Sequence, residues 1–200
     1  GLQNCPNLQY LSAWYNNFHS LDGLQNCPNL QVLWISNNNL SSLDRLQNFP
    51  NLQRIVVWKN NLSSLDGLQN CPNLQVLWIS YNNLSSLDGL QNCPNLQRIV
   101  AWNNNLSSLD GLQNCHNLQL LYIENNNLSS LDGLQNCPNL QWLNISENTQ
   151  ITTLPTFLIE FRHLYTLVYG GLELELEPRM RRWLNRLQNR RANGVQVYNN

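Results

Sequence analysis

At 200 residues the chain is long enough for one domain with a buried core. Only 12% of its residues are charged and the formal net charge is -1, so composition gives no electrostatic ground for nucleic-acid or membrane-surface binding, and Asn and Gln serve as the polar filler. No apolar run approaches the roughly 20 residues that span a bilayer, and no signal peptide is visible; the chain starts at Gly1 inside a repeat and without Met, so we expect the original N-terminus to have been removed.

The chain is periodic from its first residue. GLQNCPNLQYLSAWYNNFHSLD begins at Gly1, GLQNCPNLQVLWISNNNLSSLD at Gly23 and RLQNFPNLQRIVVWKNNLSSLD at Arg45, with further copies at Gly67, Gly89, Gly111 and Gly133. Each start lies 22 residues after the last, and the seventh copy carries an insertion near Thr149 and Gln150. In the second copy the apolar positions are Leu30, Leu33, Ile35, Leu40, Leu43 and Leu46. Leu33 and Ile35 alternate with Val32, Trp34 and Ser36, the period of a strand with one buried face. One unit cannot bury such a face alone, whereas stacked units make a continuous core. Asp44 and Asp66 then read as N-caps of short helical turns, which Pro50 and Pro72 end. Asn16, Asn38, Asn60, Asn82, Asn104, Asn126 and Asn148 recur at one phase, and an inward Asn both donates and accepts, so a stacked ladder is expected to satisfy the buried backbone after each strand.

The pattern L-x-x-L-x-I-x-x-N-x-L over roughly Gly1 to Pro155 resembles the leucine-rich-repeat family, and the period of 22 is similar to its short-repeat class, named after a phosphatase regulatory subunit. The resemblance implies one short strand per repeat. The expected fold is an α/β repeat solenoid: a curved right-handed rod with a parallel β-sheet on its concave side, short helical turns on its convex side and a C-terminal capping helix.

Cys5, Cys27, Cys71, Cys93, Cys115 and Cys137 share one phase of the repeat, which Phe49 fills in the third copy, so the position is an apolar slot and the cysteines are expected as buried thiols rather than disulfides or metal ligands. Reduced thiols point to a cytoplasmic location. Sequons at Asn39, Asn61, Asn83, Asn105, Asn127 and Asn144 are read as by-products of copying one unit. His19, His116 and His163 have no catalytic partner at a suggestive spacing, and no phosphate loop or H-E-x-x-H occurs, so neither enzymatic activity nor a cofactor is expected.

Positions that stay constant between copies read as scaffold; those that vary are free for recognition. The varying residues flank the core leucines and point to the concave face. They include Tyr10, Arg54, Arg98 and Trp142 in a first row, Trp34, Trp78 and Tyr122 in a second, and Trp14, Trp58, Trp102 and Glu124 in a third, with Tyr15, Lys59 and Tyr81 just beyond. Six of the seven tryptophans fall on this face, with the two arginines among them and expected to lie over the rings. At about 4.8 Å per strand the stripe runs about 30 Å. Copies two and four are nearly identical, as are three and five, which suggests expansion of a 44-residue block by duplication or by design; Arg45, Phe49 and His116 are irregularities that favour a natural origin.

From Thr156 the pattern decays. Phe157, Leu158, Phe161, Leu164, Leu167 and Tyr169 suit one degenerate repeat, with Leu172 replacing the ladder Asn. Glu173, Glu175 and Glu177 alternate with Leu174 and Leu176 and read as an edge strand. Pro178 opens a helix with Met180, Trp183, Leu184 and Leu187 on one face and Arg179, Arg181, Arg182, Arg186, Arg190 and Arg191 on the rest, expected as a cap, the rival reading being a basic helix for a membrane surface or nucleic acid. The division is thus residues 1–155 and 156–200. E-P-R-M-R-R-W-L-N-R followed by V-Y-N-N resembles the ends of leucine-rich-repeat proteins encoded by giant DNA viruses.

The functional expectation is a non-enzymatic scaffold that binds a protein partner on its concave face. The alternatives are carbohydrate binding through the aromatic stripe and a repeat scaffold without an evolved partner. No nucleic acid or membrane span is expected. Either a missing N-terminal cap or self-association through the N-terminal edge strand is expected.

Overall fold

The computed structural model describes residues 5–47 and 49–192. The Gly1 start of the first repeat and the terminal V-Y-N-N lie outside the described residues, as do the side chains of Arg190 and Arg191.

Each repeat contributes one three-residue strand: β1 Tyr10–Ser12, β2 Val32–Trp34, β3 Arg54–Val56, β4 Val76–Trp78, β5 Arg98–Val100, β6 Leu120–Tyr122 and β7 Trp142–Asn144. β8, Thr166–Val168, follows in the degenerate repeat, and all eight form one parallel sheet in chain order. The register pairs equivalent residues throughout: Val32 with Arg54, Leu33 with Ile55, Trp34 with Val56. Backbone bonds extend the ladder past the strand ends, as from Ile35 N–H to the Val56 carbonyl at 2.8 Å and from Gln53 N–H to the Gln31 carbonyl at 2.8 Å.

The leucines form one continuous core. Leu33, Ile55, Leu77, Ile99, Leu121 and Leu143 are fully buried along its length. The cysteine slot is buried from Cys27 onward, and Phe49 occupies it at 2% exposure. No disulfide links any of the six cysteines. Burial pushes the Cys71 thiol up to about 11, and those of Cys93, Cys115 and Cys137 to about 12.

From Asn38 to Asn148 the asparagine ladder is as expected and its wiring is uniform, whereas Asn16 is exposed and donates within its own repeat, to Ala13 at 3.2 Å and Trp14 at 3.0 Å. Asn82 Nδ2 donates to the carbonyls of Ile79 in its own repeat at 3.0 Å and Val57 in the preceding one at 3.1 Å, while its Oδ1 accepts Leu62 N–H at 3.0 Å. Each such side chain therefore ties two adjacent coils. A second ladder runs along the return segments. Asn73 Nδ2 donates to the Pro50 carbonyl at 2.8 Å, Asn95 to that of Pro72 at 3.0 Å and Asn139 to that of His116 at 2.9 Å. A backbone carbonyl is the acceptor, so His116 replaces proline without breaking the series.

The convex turns correct the capping expectation. Short 3-10 turns occur at Leu24–Asn26, Asp44–Leu46, Asp110–Leu112 and Asp132–Leu134. In the last three Asp is the first residue of the turn rather than its cap, and no side-chain capping bond is made. Its carboxylate works sideways: Asp66 accepts from Ser64 Oγ at 3.1 Å and from Gln69 Nε2 at 3.2 Å, while Gln69 Oε1 takes the Gly67 N–H at 2.7 Å. Gly67 has φ +98°, and a Cβ there would lie 2.1 Å from the Leu43 carbonyl oxygen, so close stacking of coils demands glycine.

The expected edge strand at Glu173–Glu177 is absent; the segment is non-repetitive chain joined to the insertion by a bond from Glu175 N–H to the Thr152 carbonyl at 2.7 Å. Alternation of Glu and Leu cannot make a strand where no neighbouring ladder continues. The helix, α1, spans Pro178–Ala192 with Met180, Leu184 and Leu187 buried and Trp183 half-buried. Arg179 meets Glu160 at 3.5 Å on the surface.

Candidate binding face

The strands separate neighbouring residues onto opposite sides. In β2, Leu33 is fully buried and Trp34, one residue on, is 41% exposed; in β4, Leu77 is buried and Trp78 is 45% exposed. Tyr10, Trp14, Arg54 and Arg98 are exposed on the same side. Trp58, Trp102, Tyr122, Glu124 and Trp142 lie there too, half-buried. Exposure among the eleven residues expected on the concave face is uneven, from Trp14 at 57% to the half-buried Trp58, Trp102, Tyr122, Glu124 and Trp142. The serines that alternate with the third-row tryptophans, Ser36 and Ser80, are buried at 2% exposure.

The rings do not form one unbroken stripe. They gather in groups along the sheet. Tyr10 meets Trp34 edge-on at 5.5 Å between centroids, and Trp14 meets Tyr15 at 5.6 Å. Tyr81 packs edge-on against Trp102 at 4.6 Å. Tyr122, Trp142 and Tyr165 form a chain with spacings of 5.9 Å and 6.2 Å. The grouping follows from alternation of the repeats, which places bulky rings in the second row of one strand and the third row of the next.

The cation over the rings is also different from expectation. Among the described residues it is Lys59, whose Nζ lies 5.2 Å from the Trp58 ring centroid and 5.5 Å from that of Tyr81. Arg54 and Arg98 stay exposed.

Three features escaped the sequence. Tyr15, Asn37, Lys59, Tyr81, Asn103, Asn125 and Glu147 all have φ between 53° and 58°, so each strand leaves the sheet through a left-handed residue. Asn tolerates this conformation, whereas Lys, Tyr and Glu hold it at a cost of about 1–2 kcal/mol. The same φ recurs whether the residue is Asn, Tyr, Lys or Glu, so the repeat's turn imposes it and places these side chains just beyond the third row. The second is Tyr165, 43% exposed, which stands where the seven repeats carry Gln; that break in a constant column was a readable signal. The third is Asn144, whose Nδ2 donates to Glu124 Oε2 at 2.9 Å.

Electrostatically the face changes sign along its length. Arg54, Lys59 and Arg98 lie on the third and fifth repeats, Glu124 and Glu147 on the sixth and seventh. Burial raises the Glu124 carboxyl above the usual range, against a lowering by its own backbone N–H. Burial also raises the Tyr122 phenol, helped by the charges of Glu124 and Tyr165. No group of three or more His, Cys, Asp or Glu suited to a metal occurs among the described residues.

Solved structures share this architecture. A leucine-rich-repeat protein of Leptospira interrogans aligns with TM-score 0.80 at 24% identity over 92% of this chain and 48% of its own. An internalin of Listeria monocytogenes aligns with TM-score 0.71 at 18% identity over 88% of this chain and 65% of its own. A plant peptide hormone receptor, solved in complex with its peptide RGF2, aligns with TM-score 0.66 at 22% identity over 86% of this chain and 34% of its own. The chain thus spans less than two thirds of each of these proteins. No curated protein matches it. The family model described as Leucine Rich repeats (2 copies) matches residues 6–48, 50–92, 94–136 and 116–160, most of the chain. With the leucine core, the asparagine ladder and the eight-stranded parallel sheet, this establishes that the chain belongs to the leucine-rich-repeat family.

Proposed function

We propose that the protein is a non-enzymatic scaffold whose concave face binds a protein or peptide partner. The observation that carries this is the concentration of exposed aromatic area on the side of the sheet away from the core: Tyr10, Trp14, Trp34, Trp78, Tyr81 and Tyr165 are each at least 40% exposed there. Folding gains little from rings left in water, and contiguous apolar surface marks interaction sites. Trp, Tyr and Arg are the residue types that dominate binding energy. The plant receptor of the same fold, solved with a peptide, supports the same reading. Arg54 and Arg98 extend beside the rings as charge-assisted donors.

Residues 156–192 act as the C-terminal cap of the seven repeats, because Met180, Leu184 and Leu187 are buried while Arg181, Arg182 and Arg186 face solvent. The period of 22 supports the short-repeat class, and the absence of disulfides among the cysteines supports a cytoplasmic location.

The test is a paired affinity capture with quantitative mass spectrometry, comparing the native protein with Trp58→Ala/Trp78→Ala after circular dichroism shows both folded. Proteins retained by the native chain and lost by the variant are the expected result. Equal recovery of every captured protein by both would defeat the concave-face reading.

A further inference from the structure

We propose that Glu124 and the Tyr122–Trp142–Tyr165 aromatic group form a cation subsite that receives the basic side chain of an extended peptide partner. The proposal rests on the concave-face reading and deepens it by naming the partner's chemistry.

The molecule supplies its own internal comparison. On the third and fourth repeats, Trp58 and Tyr81 are already served by a cation, the Lys59 ammonium at 5.2 Å and 5.5 Å. On the sixth to eighth repeats a comparable aromatic group has no cation over it among the described residues. Tyr122 and Trp142 lie 5.9 Å apart at an interplanar angle of 36°, and Tyr165 meets Trp142 at 6.2 Å and 86°. Tilted and perpendicular rings offer both π faces and edges around one point, the arrangement that holds an ammonium or guanidinium.

Glu124 adds the anion. Its carboxylate is half-buried and is fixed by the Asn144 amide at 2.9 Å. Among the described residues no basic side chain forms an ion pair with it, and the ion pairs seen involve Asp22 and Glu160 instead. Tyr122 pairs with Asn144 across the sheet and Asn144 holds the Glu124 carboxylate, so the carboxylate and the Tyr122–Trp142 pair share the same two strands. A carboxylate lifted by burial and lacking a counter-charge gains most from a desolvated cation.

Charge order selects the occupant. The cations Arg54, Lys59 and Arg98 precede Glu124 along the sheet. From β3 to β6 is three strand spacings, about 14 Å. A peptide running along the face therefore meets positive charge first and the Glu124 subsite about four extended residues later. An acidic side chain followed at that separation by Lys or Arg is complementary to this order, whereas a uniformly acidic or neutral segment leaves Glu124 uncompensated.

The experiment selects a random-peptide phage library on the native protein and measures the selected peptides by calorimetry against the native chain, Glu124→Gln and Trp34→Ala/Trp78→Ala. Glu124→Gln preserves size and leaves an amide oxygen for Asn144, so folding is retained. The expected result is a shared Lys or Arg position whose change to norleucine weakens binding to the native protein about tenfold and weakens binding to Glu124→Gln by much less. In parallel, N-acetyl-arginine amide is titrated into labelled protein, and the Trp142 indole resonance is expected to shift in the native chain and not in Glu124→Gln. Peptides that depend on Trp34 and Trp78 but carry no shared basic position, with no shift of Trp142, would overturn the subsite and leave the binding face standing. Failure to select any peptide sensitive to Trp34 and Trp78, with no shift of Trp142, would overturn both.

Discussion

The inner and outer rows of the sheet share one backbone and one register, yet they carry opposite information. The inner row, Leu33, Ile55, Leu77, Ile99, Leu121 and Leu143, is fully buried and nearly uniform. The outer row beside it reads Trp34, Val56, Trp78, Val100, Tyr122 and Asn144 and varies in size and polarity. Period-two alternation is what permits this separation. The repeat can hold every stacking contact constant and still change the outward surface freely. Stability therefore belongs to the constant positions, which leaves the varying ones free for the proposed recognition, and substitutions on the two rows should behave differently.

The largest effect is expected on the constant side. Asn82→Ala would leave the buried Leu62 N–H without its partner in the middle of the solenoid and take one of two donors from each of the carbonyls of Val57 and Ile79, which keep Asn60 and Asn104. Orphaning that N–H and thinning the ladder should cost about 2 kcal/mol, read as a lower urea midpoint. A midpoint within experimental error of the native value would show that the ladder is dispensable. Thiol chemistry comes next. Because burial lifts Cys93, Cys115 and Cys137 to about 12, they stay protonated at neutral pH, and a thiol reagent should label half-buried Cys5 first and these three only on unfolding. Rapid labelling of the native core would contradict the slot as drawn.

On the varying side, Trp34→Ala/Trp78→Ala should shift stability by less than about 1 kcal/mol, since cross-strand ring contacts contribute only that order. A loss as large as that of Asn82→Ala would make these tryptophans structural. The smallest effect concerns Glu124. Its folded-state pKa is raised, so the folded protein holds the proton more tightly than the unfolded chain, and ionisation of this group opposes folding. The penalty is absent below the ordinary carboxylate value of about 4.3, sets in as pH rises through it and is complete above the raised value. Glu124→Gln should therefore raise the melting temperature modestly at pH 7 and leave it unchanged near pH 3. A lower melting temperature at pH 7 would mean that the Asn144 bond outweighs burial.

Much of the architecture was legible because periodicity reports burial directly. The strand phase, the asparagine ladder and the cysteine slot each recur every 22 residues, and Phe49 reveals the character of the slot by replacing Cys. What escaped depends on geometry that composition does not encode. The left-handed φ shared by Tyr15, Lys59, Tyr81 and Glu147 was hidden because only three of the seven residues at that phase are Asn. The second ladder, from Asn73 to the Pro50 carbonyl, was hidden because its acceptor is backbone. Asp66 was read as a cap because its position suits one, whereas Ser64 and Gln69 engage it laterally. Burial of Ser36 and Ser80 was obscured because larger side chains share their row, and Glu173–Glu177 read as a strand because alternation says nothing about a missing partner.

The division between rows is best judged with a bound partner in place. Hydroxyl-radical footprinting of the protein, free and saturated with a partner that the Trp58→Ala/Trp78→Ala variant fails to capture, reads the surface side chain by side chain. Reduced oxidation at Trp34, Trp78 and Tyr81, with Phe157 and Trp183 unchanged, is the predicted pattern. Protection confined to the convex turns or to α1, with Trp34 and Trp78 oxidised as in the free protein, would contradict it.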